Sequence, residues 1–85
     1  MRALKVDSNQ KEIIAALRKI GASVYVIGLP VDLLCGYRGR SIALECKSGE
    51  HWRLTDVQKR FFADFEGEAY IVDSVEAALK AVRGL

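Results

Sequence analysis

The sequence contains no long hydrophobic run and few of the residues that build metal fingers or disulfide frameworks. Its 85 residues include two cysteines, one histidine and one proline. No stretch approaches the ~20 apolar residues of a membrane-spanning helix, and residues 1–5 do not form the apolar core of a signal peptide. We therefore expect a soluble, intracellular protein.

The scarcity of cysteine and histidine argues against a zinc site. Cys35 and Cys46 do not form a C-x-x-C pair and are accompanied by only one histidine, His51. In a reducing compartment the simplest interpretation is two buried thiols. A lone loop histidine also makes a weak candidate for a general base. The neighbouring Trp52 either stacks on an unpaired base or covers the edge of the core, and we expect the core.

The charge balance does not by itself indicate a nucleic-acid partner. Thirteen basic and eleven acidic residues leave a net charge of +2, so only the distribution of the basic residues is informative. Arg38, Arg40 and Arg53 fall in or beside predicted loops, where they are candidate contacts to a phosphate backbone.

The apolar content is high for one small domain, here taken as residues 1–85. It reaches 51%, against a typical ~45–50%. Val57, Phe61 and Phe65 recur at i, i+4 spacing, with Phe62 beside them, which predicts an apolar surface wider than one core-facing stripe. We expect this surface to form a homodimer, the commonest oligomer; an internal role for all three phenylalanines is the alternative.

Hydrophobic periodicity and turn residues predict helix, three strands, helix, strand, helix. Ile13, Ile14, Leu17 and Ile20 form the stripe of the first helix, which Gly21 ends. The segment 36–40 carries two glycines and predicts a hairpin connection. The predicted elements are helix 9–20, strand 22–28, strand 31–37, strand 41–47, helix 56–65, strand 69–72 and helix 75–82.

The strongest functional signal is a pair of carboxylates at the open end of this hairpin. A strand over 41–47 sends Ile42, Leu44 and Cys46 to one face and Glu45 and Lys47 to the other. Antiparallel pairing brings the start of the preceding strand, at Asp32, beside the end of this one, at Glu45. Mg²⁺ prefers one or two carboxylates together with water and phosphate oxygens. An ammonium such as that of Lys47 orients a nucleophile or offsets charge in the transition state. An acid and a lysine two residues apart are, by themselves, more often a solvated pair.

The arrangement of Asp32, then Glu45-x-Lys47, then Leu54-Thr55-x-x-Gln58 resembles the PD-(D/E)XK nuclease superfamily. Within it, the chain is similar over nearly its whole length to the small VRR-NUC proteins of phages and prophages. The family usually has proline directly before the aspartate, whereas Val31 stands there in this chain. The resemblance implies an α/β, restriction-endonuclease-like αβββαβ core, a mixed sheet flanked by helices, with a C-terminal helix. It also implies a divalent-metal-dependent DNA endonuclease, selective for branched or flap DNA, in the cytoplasm of a bacterium or a phage-infected host cell. The alternative is a catalytically inactive nucleic-acid-binding or assembly subunit that retains the fold.

The resemblance further implies roles for individual residues. Asp32, Glu45 and the backbone carbonyl of Cys46 are expected to hold Mg²⁺ or Mn²⁺, and Lys47 to position or activate the attacking water. Glu12 stands where the family often has a further acid facing the metal, but Asn9-x-x-Glu12 also has the spacing of a capping box. Gln58 poses the same choice, because Thr55-x-x-Gln58 is a capping box as well, and here we favour function.

Overall fold

The computed structural model describes residues 8–84. The order of elements is the predicted one, and every predicted element is present. The observed ends differ from the predicted ends by no more than two residues. The elements are α1 (Gln10–Lys19), β1 (Ser23–Val26), β2 (Leu33–Tyr37), β3 (Arg40–Cys46), α2 (Asp56–Asp64), β4 (Glu68–Val72) and α3 (Val75–Arg83).

The four strands form one mixed sheet in the order β1-β2-β3-β4. Antiparallel pairing joins β1 to β2 and β2 to β3, and β4 runs parallel to β3. Parallel neighbours need a crossover connection, which the segment carrying α2 provides. The chain is therefore a mixed α/β domain with a sheet flanked by helices and a closing helix at its C-terminal end.

The hairpin between β2 and β3 is tighter than its sequence predicted. Tyr37 pairs with Arg40, so only Arg38 and Gly39 form the turn, rather than the whole segment 36–40. Both residues have positive φ, 51° and 79°, as a two-residue hairpin turn of the type I′ class requires. Arg38 adopts a backbone conformation that non-glycine residues seldom enter. This register places the far ends of the two strands, which carry the acids, beside each other.

The main core lies on the sheet face that α1 and α3 cover. Alternation along the strands sends Leu33, Cys35, Ile42, Leu44 and Cys46 to this face, and all five are buried. The two helices pack against each other and contribute buried side chains to the same cluster, namely Ile13, Leu17, Ala78 and Val82. The predicted apolar face of β3 and the burial of both thiols are confirmed.

The opposite face of the sheet, which we call the α2 face, is only partly covered. The register aligns Tyr25, Leu34, Ala43 and Ala69 in one apolar row across it. Ala43 is buried, whereas Tyr25 is 65% and Leu34 42% exposed. Helix α2 contributes no buried residue at all. The end of this face next to the apolar row carries Glu45.

The start of α1 differs from the predicted capping box. Asn9 precedes the helix in an αR conformation, and its side chain makes no capping hydrogen bond. Its amide nitrogen instead donates to the carbonyls of Lys47 and Asp73, at 3.0 and 2.9 Å. Tertiary contacts have displaced the local bond, because this amide satisfies two carbonyls where β3 and β4 end. Asn9 therefore attaches the first helix to the end of the strand that carries the candidate site.

Across residues 8–84, no helix has both the length and the apolar character needed to cross a membrane.

Candidate metal and phosphodiester site

The two carboxylates meet at the open end of the hairpin. Asp32 lies immediately before β2, and the register that pairs Leu33 with Leu44 puts Asp32 opposite Glu45. The backbone N–H of Asp32 donates to Glu45 Oε1 at 3.1 Å. In return, the Asp32 carboxylate accepts from the backbone N–H of Cys46 at 2.9 Å through Oδ2. Each carboxylate thus accepts a hydrogen bond from the backbone of the other acid's segment, and these two bonds fix the geometry of the pair.

Glu45 is a buried acid in a charged cluster. Its residue surface is 2% exposed. Burial raises the pKa of this carboxyl above its ordinary value, and the hydrogen bond from Lys47 opposes the rise. The proximity of Asp32 raises the pKa further. A cation bound here would favour the ionised form of Glu45 and compete with its proton, so that its binding would strengthen as pH rises through this raised pKa.

Lys47 lies beside Glu45, as the alternation along β3 predicted. Its ammonium Nζ lies 3.1 Å from Glu45 Oε2, and its side chain is 12% exposed. Most exposed acid–lysine pairs contribute little to stability, but this pair is largely withdrawn from water. The backbone of Lys47 is also held, because its N–H donates to the Val72 carbonyl and its carbonyl accepts from Asn9. The backbone of Lys47 is therefore held through its N–H and its carbonyl, and its ammonium is held by Glu45.

Gln58 makes the capping contacts that its spacing predicted and also contacts the buried acid. Its side-chain oxygen accepts from the Thr55 N–H at 3.1 Å, and its own N–H donates to Thr55 Oγ1 at 3.2 Å. The remaining amide nitrogen donates to Glu45 Oε2 at 2.9 Å. One side chain thus closes the capping box of α2 and links that helix to the buried acid.

Glu12 does not join this cluster. The residue is exposed on α1, and no group of three histidine, cysteine or acidic residues capable of holding a metal occurs within residues 8–84. Asn9 and Glu12 do not form the predicted capping box, and the role of Glu12 as a further acid facing the metal stays a prediction. The buried residues at this end of α1 are Asn9 and Gln10. Their side-chain oxygens are buried acceptors without a hydrogen-bond partner in the described part of the chain.

The three candidate phosphate-binding arginines lie in different surroundings. Arg40 is engaged in a fork with Glu68, Nη2 to Oε1 at 2.6 Å and Nε to Oε2 at 2.9 Å. It also donates to the Val82 and Ala81 carbonyls, near the C-terminal end of α3. Arg38 is exposed at the hairpin turn, its guanidinium 5.3 Å from the centre of the Tyr37 ring, and Arg53 is exposed in the loop before α2. Because the Arg40 guanidinium is already engaged by these acceptors, Arg38 and Arg53 are the better candidates for phosphate contacts.

The loop after β3 carries the chain's single tryptophan and single histidine. Trp52 was predicted to cover the edge of the core, and its residue surface is 40% exposed and otherwise covered. His51 beside it is exposed as well. Residues 47–55 contain no helix or strand.

Asn9 is the contributor that the sequence did not reveal as part of the site. Its capping spacing predicted a local role at the helix start, and no pattern in the chain indicates that its amide reaches Lys47, 38 residues away.

A comparison with known protein families, with curated proteins and with solved structures finds no match.

Proposed function

We propose that this protein is a divalent-metal-dependent DNA endonuclease of the PD-(D/E)XK type, with the restriction-endonuclease-like fold. The observation that carries the proposal is the convergence of Asp32, Glu45, Lys47 and Gln58 through hydrogen bonds of 2.9–3.1 Å. Three separate segments of the chain supply these four groups. A solvated surface pair would not require such a set of mutual contacts.

The residues fit a hard divalent cation. Asp32 and Glu45 supply carboxylate oxygens, and magnesium is commonly bound by one or two carboxylates with water and phosphate completing its shell. The N–H and C=O of one strand residue point towards the same neighbour in an antiparallel ladder. The Cys46 carbonyl is therefore expected on the side of Asp32, because its N–H donates to that carboxylate. Mg²⁺ or Mn²⁺ held by these three groups would stabilise negative charge on the phosphodiester.

The chain's own residues would perform the remaining work. Lys47, held against Glu45, would orient the attacking water and offset negative charge on the reacting phosphate. Gln58 would keep Glu45 in place by donating to the oxygen that Lys47 also contacts. Hydrolysis joins the water oxygen to phosphorus and breaks one P–O bond of the backbone. Arg38 and Arg53 would hold the flanking phosphates.

The alternative function is a catalytically inactive nucleic-acid-binding or assembly subunit that keeps the same fold. Both functions predict DNA binding, and only the first predicts cleavage. We would incubate the protein with flap, four-way-junction, single-stranded and duplex DNA, in Mg²⁺, Mn²⁺ or EDTA. Metal-dependent products on at least one substrate are expected.

Variants separate chemistry from metal binding. Asp32→Asn keeps an oxygen for the Cys46 N–H but loses a charge, so calorimetry should show weaker Mn²⁺ binding. Lys47→Ala should retain Mn²⁺ binding and lower the cleavage rate by about 10²–10⁴-fold, the usual cost of losing a catalytic group. Lys59→Ala, an exposed lysine on α2, is the matched control. Binding without cleavage in either metal would favour the inactive subunit, and equal Mn²⁺ binding by Asp32→Asn would refute the ligand assignment.

A further inference from the structure

The loop between β3 and α2 connects two groups of the candidate site. It begins after Lys47 and ends at Thr55, whose N–H and Oγ1 both bind Gln58. The chain's only tryptophan, Trp52, lies in this loop and is 40% exposed. His51 and Arg53 on either side of it are exposed too. An amphipathic aromatic ring is thus presented to solvent between an arginine and a histidine.

The length of the loop keeps this ring close to the acids. Trp52 is five residues after Lys47 and three before Thr55. A chain extends by at most about 3.3–3.6 Å per residue, so the Trp52 backbone lies within roughly 18 Å of Lys47 and roughly 11 Å of Thr55. These limits correspond to a few nucleotides of a bound strand.

Trp52 takes no part in the aromatic or cation–π contacts found within residues 8–84. Those contacts involve Phe61, Phe62, Phe65, Tyr37 and Arg38. Exposed aromatic side chains beside a cationic groove are how proteins bind unpaired nucleotides, because every base has a π-face. The bases of an intact duplex are already stacked and cannot accept such a ring without unpairing.

We propose that Trp52 stacks on an unpaired base next to the phosphodiester held at Asp32 and Glu45, and so directs the protein to DNA that contains single-stranded nucleotides. The inference rests on the proposed function for its location. Arg53 contacts a neighbouring phosphate and contributes equally to single-stranded and duplex DNA, because a phosphate contact does not depend on base pairing.

Tryptophan fluorescence tests this directly, because all of the indole emission comes from Trp52. The protein is titrated in EDTA, so that no cleavage occurs, with a short oligothymidylate. A separate titration uses the blunt duplex of that oligothymidylate with its complementary oligodeoxyadenylate strand. We expect saturable quenching by the oligothymidylate and little by the duplex. The anisotropy of labelled DNA measures binding independently of the ring.

Variants identify the interaction. Trp52→Ala should weaken oligothymidylate binding about 5- to 100-fold, and Trp52→Phe should recover much of it, since base–aromatic stacking has that magnitude. Duplex binding should be unchanged in both. Tyr70→Ala is the matched control. Tyr70 is 39% exposed, but it pairs with Leu44 and so lies on the sheet face that α1 and α3 cover, away from the face that carries Glu45. Far-ultraviolet circular dichroism checks that each variant is folded.

Unquenched emission while the oligothymidylate is bound would overturn the proposal, as would wild-type affinity in Trp52→Ala. An emission change that follows protein concentration without DNA would assign the ring to a contact between copies instead, and would also overturn it. The test is independent of catalysis: quenching without cleavage contradicts the nuclease proposal alone, and cleavage without quenching contradicts the stacking proposal alone.

Discussion

At the scale of single residues, the candidate site depends on polar groups that each satisfy more than one partner. Glu45 accepts from the Asp32 backbone, Gln58 and Lys47. Asn9 donates to two strand-end carbonyls. Buried polar groups are costly unless they are hydrogen-bonded. The removal of one such side chain therefore leaves several unsatisfied groups.

Asn9 gives a stability prediction at this scale. Asn9→Ala leaves the Lys47 and Asp73 carbonyls without their donor and should lower the free energy of unfolding by about 1–3 kcal/mol. Asn9→Asp should be at least as harmful, because a carboxylate placed against two carbonyl oxygens repels them. Urea unfolding measures both variants, with the exposed neighbour Ser8→Ala as control. A change in Asn9→Ala no larger than in the control would show that the two bonds contribute nothing net.

At the scale of elements, α2 is held to the site by its first turn. Its capping box is complete, and the same glutamine reaches Glu45. Local capping chemistry therefore fixes where the helix begins, and that start places an amide over the buried acid. The contacts confirm the capping box of Gln58, and its functional role stays a prediction.

The two roles of Gln58 can be separated by substitution. Gln58→Glu keeps an acceptor for the Thr55 N–H, so α2 should persist, but it replaces the amide donor with a second carboxylate beside Glu45. We expect metal affinity or cleavage to fall about 10- to 100-fold, the usual effect of losing a residue that orients a ligand. Thr55→Ala should do the reverse, costing about 1 kcal/mol of stability with little effect on cleavage. A Gln58→Glu protein with wild-type metal affinity and cleavage would leave only the cap.

At the scale of the whole molecule, the α2 face leaves an apolar surface uncovered. Tyr25 and Leu34 are cross-strand neighbours on it, and Val57 and Phe65 of α2 are 58% and 46% exposed. Phe61 stacks on Phe65 with ring centroids 4.7 Å apart. Because Phe61 is half-buried, part of the apolar surface of α2 is already covered within the protein. If the two aromatic side chains, Tyr25 and Phe65, each lose roughly half of 150–250 Å², they alone provide on the order of 200 Å² of a standard ~800 Å² interface surface.

We therefore expect a homodimer in which two copies join their α2 faces about a two-fold axis. Leu34→Lys and Val57→Lys should each shift the mass measured by sedimentation from dimer towards monomer. Val57 is a surface residue of a helix without buried positions, so this variant should still fold. Tyr70→Lys, with 39% exposure on the other sheet face, should stay dimeric. A wild-type monomer at high concentration, or a dimer that only Tyr70→Lys dissociates, would contradict this arrangement.

The sequence by itself determined the elements and the facing of β3. Periodicity depends on the chain's own spacing, so the alternation from Ile42 to Lys47 predicted both the buried row and the Glu45–Lys47 pair. A hairpin is also a local structure, which is why the meeting of Asp32 with Glu45 was predictable across 13 residues. The capping box at Thr55 and Gln58 was readable for the same reason.

Only the tertiary structure decided the contacts between distant segments. The Asn9 side chain does not cap α1 because it donates instead to carbonyls at the ends of β3 and β4. No local sequence pattern predicts these contacts. Glu12 is left on an exposed face because the rotation of α1 is set by packing against α3 and the sheet. Arg40 forms an ion pair with Glu68, 28 residues away in the sequence. Such outcomes depend on the relative placement of whole elements, which spacing along the chain does not specify.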